Sequence, residues 1–298
     1  MSVPLAYMGV ILVWTTTPLA IKWSGEGPGF LFGVTARMTI SVVLALTLLR
    51  LARIPFRLDR EAWRAYIAAG AGIYGAMLCT YWGAQFIPSG WISVLFGMSP
   101  IITGAMAALW LGGRTLTPLR MVGVLLGLGG LSVIFGRGLA LDAAAAKGVA
   151  AVAVATLFHS GSAVWIQRLN AGLPALAMVA GGLSIATPLY WFTWVLFDGG
   201  WPDSLPLRAT GSILYLAVFG SVMGFAFYYY VLRHVEATRV ALITLITPVS
   251  ALLLGHGLNG EPLTAEIGFG TSLVVSGLAM FELGDRWLKK HENAIGDL

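Results

Sequence analysis

The stretch Ala237–Thr264, ATRVALITLITPVSALLLGHGLNGEPLT, is a long apolar run interrupted by Pro248 and closed by the compact turn Gly260-Glu261-Pro262-Leu263-Thr264. An earlier segment, Ser89–Thr117, SGWISVLFGMSPIITGAMAALWLGGRTLT, follows the same plan. Pro100 stands 148 positions before Pro248, and Gly113-Arg114-Thr115-Leu116-Thr117 stands against the later turn. Past the turn the offset is 147, pairing Gly123 with Gly270 and Gly130 with Gly277. In a chain of 298 residues, recurrence at half-length means two similar halves.

Composition says what those halves are made of. The chain is 58% hydrophobic and 10% charged, against roughly 25% charged in an ordinary soluble domain. A bilayer core about 30 Å thick needs roughly 20 apolar residues per helical crossing. Apolar runs with Gly, Pro or charged punctuation predict ten such crossings, near 3–22, 30–50, 64–85, 89–111 and 119–136, then 148–167, 173–197, 209–232, 237–257 and 264–284. A barrel would need alternating polar and apolar residues in short segments, and the sequence has no such alternation. Met1–Trp23 lacks a basic leader and a small-residue cleavage pattern, so it reads as a retained first helix.

Charge fixes the expected orientation. Thirteen of the 18 basic residues fall in loops on one side and four, Lys22, Arg137, Lys147 and Arg208, on the other. Arg37 lies inside a crossing. The positive-inside rule then puts both termini in the cytoplasm. It also explains the net charge of +5 without nucleic acid as a partner. Five crossings per half is odd, so the second half enters the membrane inverted. The expectation is an all-α membrane protein: ten transmembrane helices as two inverted five-helix repeats, at 1–144 and 145–287, with a short cytoplasmic tail, 288–298. That plan is common in secondary transporters, whose substrate sites lie near the midplane where the halves meet.

Trp14 and Lys22 on the first crossing, Arg37 in the second, the paired prolines and Gly260-Glu261-Pro262-Leu263-Thr264 form an ordered set. The set resembles the EamA branch of the drug/metabolite transporter superfamily over essentially the whole chain. The resemblance implies a multi-pass carrier of the bacterial inner membrane that exports amino acids or related small metabolites by alternating access. A lipid flippase or scramblase, or a membrane-embedded enzyme, are the alternatives. Implied partners are a small-molecule substrate and membrane lipid, with a monomer or homodimer as the assembly.

Several residues carry chemistry of their own. An arginine deep in a crossing costs at least about 2.5 kcal/mol on insertion scales, so Arg37 needs a cavity or a partner. It suits a substrate carboxylate, which guanidinium pairs well, or a structural role on backbone carbonyls. His159 is the one histidine in the middle of a strong crossing, and its unperturbed pKa near 6.5 makes it a candidate proton carrier. It equally suits a neutral pocket wall. Pro100 and Pro248 each remove a backbone donor, and a matched pair would kink two helices beside a cavity as gating points. Trp14, Thr16, Tyr74, Tyr81, Trp165 and Tyr229 offer aromatic bodies or hydroxyl tips suited to an amphipathic solute. Aromatic belts and helix packing account for the same residues. Glu261 belongs to the outer turn and reads as structural, and the glycines of the fifth and tenth crossings read as packing.

No nucleophile motif, metal spacing or phosphate loop is present, and Cys79 is the sole cysteine. No enzymatic activity, cofactor or metal is therefore expected. Without an ATP-binding motif, transport would be secondary, coupled to protons or to exchange of a second solute.

Overall fold

The computed structural model describes residues 2–111, 118–137, 143–240 and 243–296. The turn at 113–117 expected to mirror Gly260–Thr264 lies outside them. All regular elements among the described residues are helical: α1 (Val3–Ser24), α2 (Phe30–Leu51), α3 (Arg60–Gly83), α4 (Ser89–Phe96), α5 (Ser99–Leu111) and α6 (Pro118–Arg137). These are followed by α7 (Ala143–Leu169), α8 (Ala175–Phe197), α9 (Leu207–Tyr215), a π-helical segment (Leu216–Met223), α10 (Gly224–His234), α11 (Ala237–Val240), α12 (Ile243–Asn259) and α13 (Ala265–Gly296).

Among the described residues six segments are long and apolar enough to cross a membrane: Val3–Ser24, Phe30–Leu51, Ser89–Leu111, Ala143–Leu169, Ala175–Phe197 and Leu207–His234. Shorter apolar helices cover Met121–Ile134 and Ala265–Phe281. The surface is inverted relative to a water-soluble protein. Phe192 and Leu207 point outward, 68% and 89% exposed, while Arg37, Ser41 and Thr80 lie inside. Lipid tails are as apolar as leucine, so outward leucines cost nothing there and helices associate through close packing instead.

The contact between α6 and α13 shows how close that packing is. A Cβ on Gly123 would meet the Gly277 carbonyl, and one on Gly277 would meet that of Gly123. Gly130 and Gly270 stand in the same reciprocal relation. The partners cross the sequence pairing: positions matched at offset 147 are equivalent, and each touches the other's neighbour, as antiparallel helices require. Gly127 shares in the contact: a Cβ on Gly277 would stand 2.8 Å from its amide, while a Cβ on Gly127 itself would meet Met98 at an ordinary 3.5 Å.

The two prolines differ. Before Pro100 the helix stops at Phe96 and restarts at Ser99, and tight turns carry the chain across Gly97 and Met98 (Gly97 N to Ser93 O, 2.9 Å; Met98 N to Leu95 O, 3.0 Å). Pro248 instead sits within α12, which is continuous from Ile243 to Asn259. Proline is well accommodated in the first turn of a helix, where its missing N–H would be unpaired anyway, and Pro100 uses that position in α5. Pro18 and Pro188, in α1 and α8, are further interior prolines.

Gly123→Ala should destabilise by about 1–3 kcal/mol, because the methyl meets backbone that cannot rotate away. Gly129→Ala on the same helix meets nothing within 4 Å and should be neutral or stabilising. Detergent-solubilised melting curves of the two variants check this; equal melting points would refute the close contact.

Candidate functional site

Arg37 is the starting point, because it is 1% exposed in the interior of α2. Its Nε donates to Ser221 Oγ at 2.9 Å, and Nη1 donates to the Tyr81 hydroxyl at 3.3 Å and toward Met77 Sδ at 3.9 Å. The Tyr81 ring lies 5.9 Å from the guanidinium carbon. Ser221 belongs to the π-helical segment, and the neighbouring Ala217 carbonyl accepts from Ser41 Oγ at 3.3 Å. An i to i+5 segment is rare and recurs at functional sites. Here it presents the small residues Gly220 and Ser221 to the arginine.

Arg37 forms one wall of a central cavity of about 70 Å³. α1 contributes Trp14, Thr17, Pro18 and Ile21, and α3 contributes Met77 and Thr80. Across from these stand Ile92, Ser93 and Phe96 of α4, His159 of α7, Gly220, Phe225 and Thr247. The His159 ring is enclosed by Trp14 at 5.4 Å, Tyr228 at 5.2 Å and Phe96 at 5.9 Å between centroids. It has no hydrogen-bond partner among the described residues. Met77 and Phe225 are 148 positions apart, the proline offset, and Trp14 and His159 are 145 apart. Two pairs of wall residues thus stand close to half the chain length apart.

One turn beyond the cavity, the α12–α13 turn is tied to the start of α4. Glu261, 7% exposed, accepts from the Ser89 amide (2.9 Å), Ser89 Oγ (3.0 Å), the Gly90 amide (3.2 Å) and Asn259 Nδ2 (3.1 Å). A carboxylate from the α12–α13 turn thereby satisfies the orphan donors at the start of α4 and meets its positive dipole end. Lys22 Nζ stands 3.8 Å from the carboxylate and donates to the Ile87 carbonyl at 3.3 Å. Trp23 Nε1 and Arg208 Nη2 both donate to Asn259 Oδ1 at 2.9 Å. At the opposite end of α7, a second cavity of about 340 Å³ is lined by Gln167, Tyr229 and Arg233.

Of the residues singled out in the sequence, Trp14, Arg37 and His159 share the central cavity, and Tyr81 backs it through Arg37. The others stand elsewhere. Thr16 bonds the Tyr215 hydroxyl at 2.5 Å in a groove on the other side of α1, while its neighbour Thr17 faces the cavity. The Tyr74 hydroxyl bonds Thr193 Oγ1 at 2.6 Å between α3 and α8. Trp165 is on the outer surface of α7, and Tyr229 lines the second cavity. Phe225, an aromatic on the same face of its crossing as Tyr229, also lines the cavity, at the proline offset from Met77. Ser93, Phe96 and Thr247 were not singled out, and the two hydroxyls carry no sequence signal.

A bundle of membrane-crossing helices around a central cavity with a buried cation in its wall is the architecture of a membrane transporter for small molecules. The EamA-like transporter family matches at residues 1–136 and 146–283, and the chain belongs to that family. It is 31% identical over 215 residues to an uncharacterized transporter of Archaeoglobus fulgidus, covering 70% of this chain and 72% of that one. It is 25% identical to the uncharacterized inner membrane transporter YedA of Escherichia coli, covering 94% and 90%. A probable terminal-alkyne amino-acid exporter of Streptantibioticus cattleyicolor is 27% identical, covering 91% and 90%. A solved crystal structure shares the fold with a TM-score of 0.69 at 23% identity, covering 96% of this chain and 98% of that one.

Removing the carboxylate in Glu261→Ala strands three donors at the start of α4 and should cost about 2–4 kcal/mol. Glu261→Gln keeps the shape and part of the bonding and should cost less. Thermal unfolding of both variants checks the order; a Gln variant as unstable as the Ala variant would show that charge, not donor satisfaction, holds this end.

Proposed function

We propose that this protein is a secondary active transporter that exports small metabolites such as amino acids across the bacterial inner membrane by alternating access, with the carboxylate of the solute on Arg37. The observation that carries this reading is a buried guanidinium forming the wall of an otherwise largely apolar cavity. Pocket walls of this kind bind the apolar body of a solute, and a few polar groups fix its orientation.

The repeated architecture is part of the proposal: ten crossings as two inverted repeats, 1–144 and 145–287, with both termini cytoplasmic. Helix pairing supports it. Exchanging the halves turns the contact of α3 with α7 into that of α10 with α1, and the contact of α5 with α7 into that of α12 with α1. The same exchange maps the Gly123–Gly277 pair onto Gly270–Gly130. In this frame Glu261 ties the outer end, and the cavity at Gln167, Tyr229 and Arg233 lies on the arginine-rich, cytoplasmic side. The gap in helix before Pro100 supplies a hinge, and Pro248 its less broken counterpart. The inner-membrane location draws on the name of the Escherichia coli relative, and the solute class on that of the Streptantibioticus exporter.

Purified protein in liposomes should show saturable flux or exchange of at least one carboxylate metabolite, and Arg37→Gln should reduce it at least about tenfold, as loss of a charge-assisted contact predicts. Absence of flux for every small metabolite, with transfer of labelled lipid instead, would replace this reading by lipid translocation.

His159 is a wall residue in this proposal, because its ring is closed in by aromatic rings and has no proton-accepting neighbour among the described residues. His159→Gln should therefore shift apparent affinity while leaving the pH dependence of uptake intact. A flat pH profile in this variant would make His159 the proton carrier.

A further inference from the structure

Within the reading of the central cavity as the substrate site, we infer that it selects carboxylates with a neutral polar group beside the carboxylate, 2-hydroxy or 2-oxo acids, over zwitterionic amino acids of the same shape. The inference begins from charge. Among the described residues every partner of Arg37 is neutral: a serine hydroxyl, a tyrosine hydroxyl and a thioether. Nη2 has no hydrogen-bond partner among them and stands beside Gly220 on the cavity wall, 3.2 Å from where a Cβ would be.

Five acidic residues are engaged elsewhere. Among the described residues Glu261 pairs with Lys22, Asp59 and Glu61 with Arg57, Glu26 with Arg208, and Glu236 with Arg239. None of the described residues lining the cavity is acidic. Among the described residues Arg37 therefore brings a positive charge to the wall with no acidic side chain beside it. A bound monoanion cancels it. A zwitterion brings its own ammonium into the same space and leaves the excess charge in place.

An unpaired buried charge is costly, and pairing by an ion is what offsets it. The hydroxyls of Ser93 and Thr247 face this cavity and have no hydrogen-bond partner among the described residues. They can donate to, or accept from, a hydroxyl or oxo group beside the carboxylate. Toward an ammonium they offer only neutral oxygen. Trp14, Phe96 and Phe225 offer ring faces, which attract cations, but with the like charge of Arg37 in the same wall.

The test uses two isosteric pairs, 2-hydroxy-3-methylbutanoate against valine and phenyllactate against phenylalanine, measured by calorimetric titration of the full chain in nanodiscs. The hydroxy acid of at least one pair should bind at least about tenfold tighter than its amino acid, the sense expected when only one ligand buries an unpaired charge. Arg37→Gln should bring that ratio to within about twofold by removing the charge that sets it. If that variant does not fold, Arg37→Lys should keep the preference. Equal or tighter binding of the amino acids, or no binding by any of the four compounds, overturns the inference. Ser93→Trp, which fills the cavity, separates the two levels of the argument. Amino acid binding that it blocks would leave the cavity as the substrate site and remove only the selectivity. Binding that it leaves unchanged would remove the site itself.

Discussion

The buried guanidinium of Arg37 is the constraint around which the interior is arranged. Water is absent from a bilayer core, so a charge there must find its partners in the protein, and the polar atoms of the backbone are already committed to helices. Ser221, Tyr81 and Met77 supply those partners from two further helices. To bring Ser221 within reach, the chain adopts π-helical geometry over Leu216–Met223, which widens the turn and frees the phase of the residues that follow. One side chain thus ties together α2, α3 and the helix that leads into α10.

The remainder of the fold follows from the same shortage of water. Hydrophobic burial does not drive helices together in lipid, so contact area must come from close approach. The reciprocal glycines of α6 and α13 meet that need at one edge. Gly83 and Gly148 approach each other's carbonyls in the same manner between α3 and α7. At the end of the cavity, Glu261 solves a related problem. The start of α4 exposes amides without intrahelical partners, and a carboxylate delivered from a distant turn satisfies them while Lys22 balances its charge. The contact is a capped helix end, held by hydrogen bonds that are lost only when the turn and the helix separate.

Much of this was legible in the sequence, and what was not had a physical cause. Hydropathy located most helices within about five residues, because apolar runs mark them; the exception is α13, which continues as helix to Gly296, past the expected end at 284 and into the expected tail, where charged residues give no apolar signal. Arg37, Trp14 and His159 stood out because a charge, an indole and an imidazole inside apolar runs are each expensive or conspicuous. The face of each helix was harder. Helical spacing says that Tyr74 and Tyr81 share one side of α3, but not how far that side reaches along the cavity. Tyr74 ends against Thr193 and Tyr81 against Arg37. Thr16 and Thr17 are adjacent, and only the packing of α1 decides that Thr17 faces inward. Ser93 and Thr247 were invisible, since small hydroxyl residues are tolerated anywhere in a membrane helix by bonding the preceding turn. The π-helical segment was equally hidden, because LAVFGSVM reads as an ordinary apolar run.

The paired prolines show how a repeat can diverge without losing its frame. Each occupies the same place in its half, yet Pro100 follows a gap in the helix and Pro248 does not. Proline forbids one donor and crowds one carbonyl, but whether the helix breaks depends on the residues before it. Gly97 and Met98 precede Pro100, and glycine weakens a helix at that point. Threonine, leucine, isoleucine and threonine precede Pro248 and hold no such weak point. The two proline-bearing segments therefore differ in continuity beside Phe96 and Thr247 of the cavity wall. That asymmetry is what a carrier needs if one end is to open while the other stays tied.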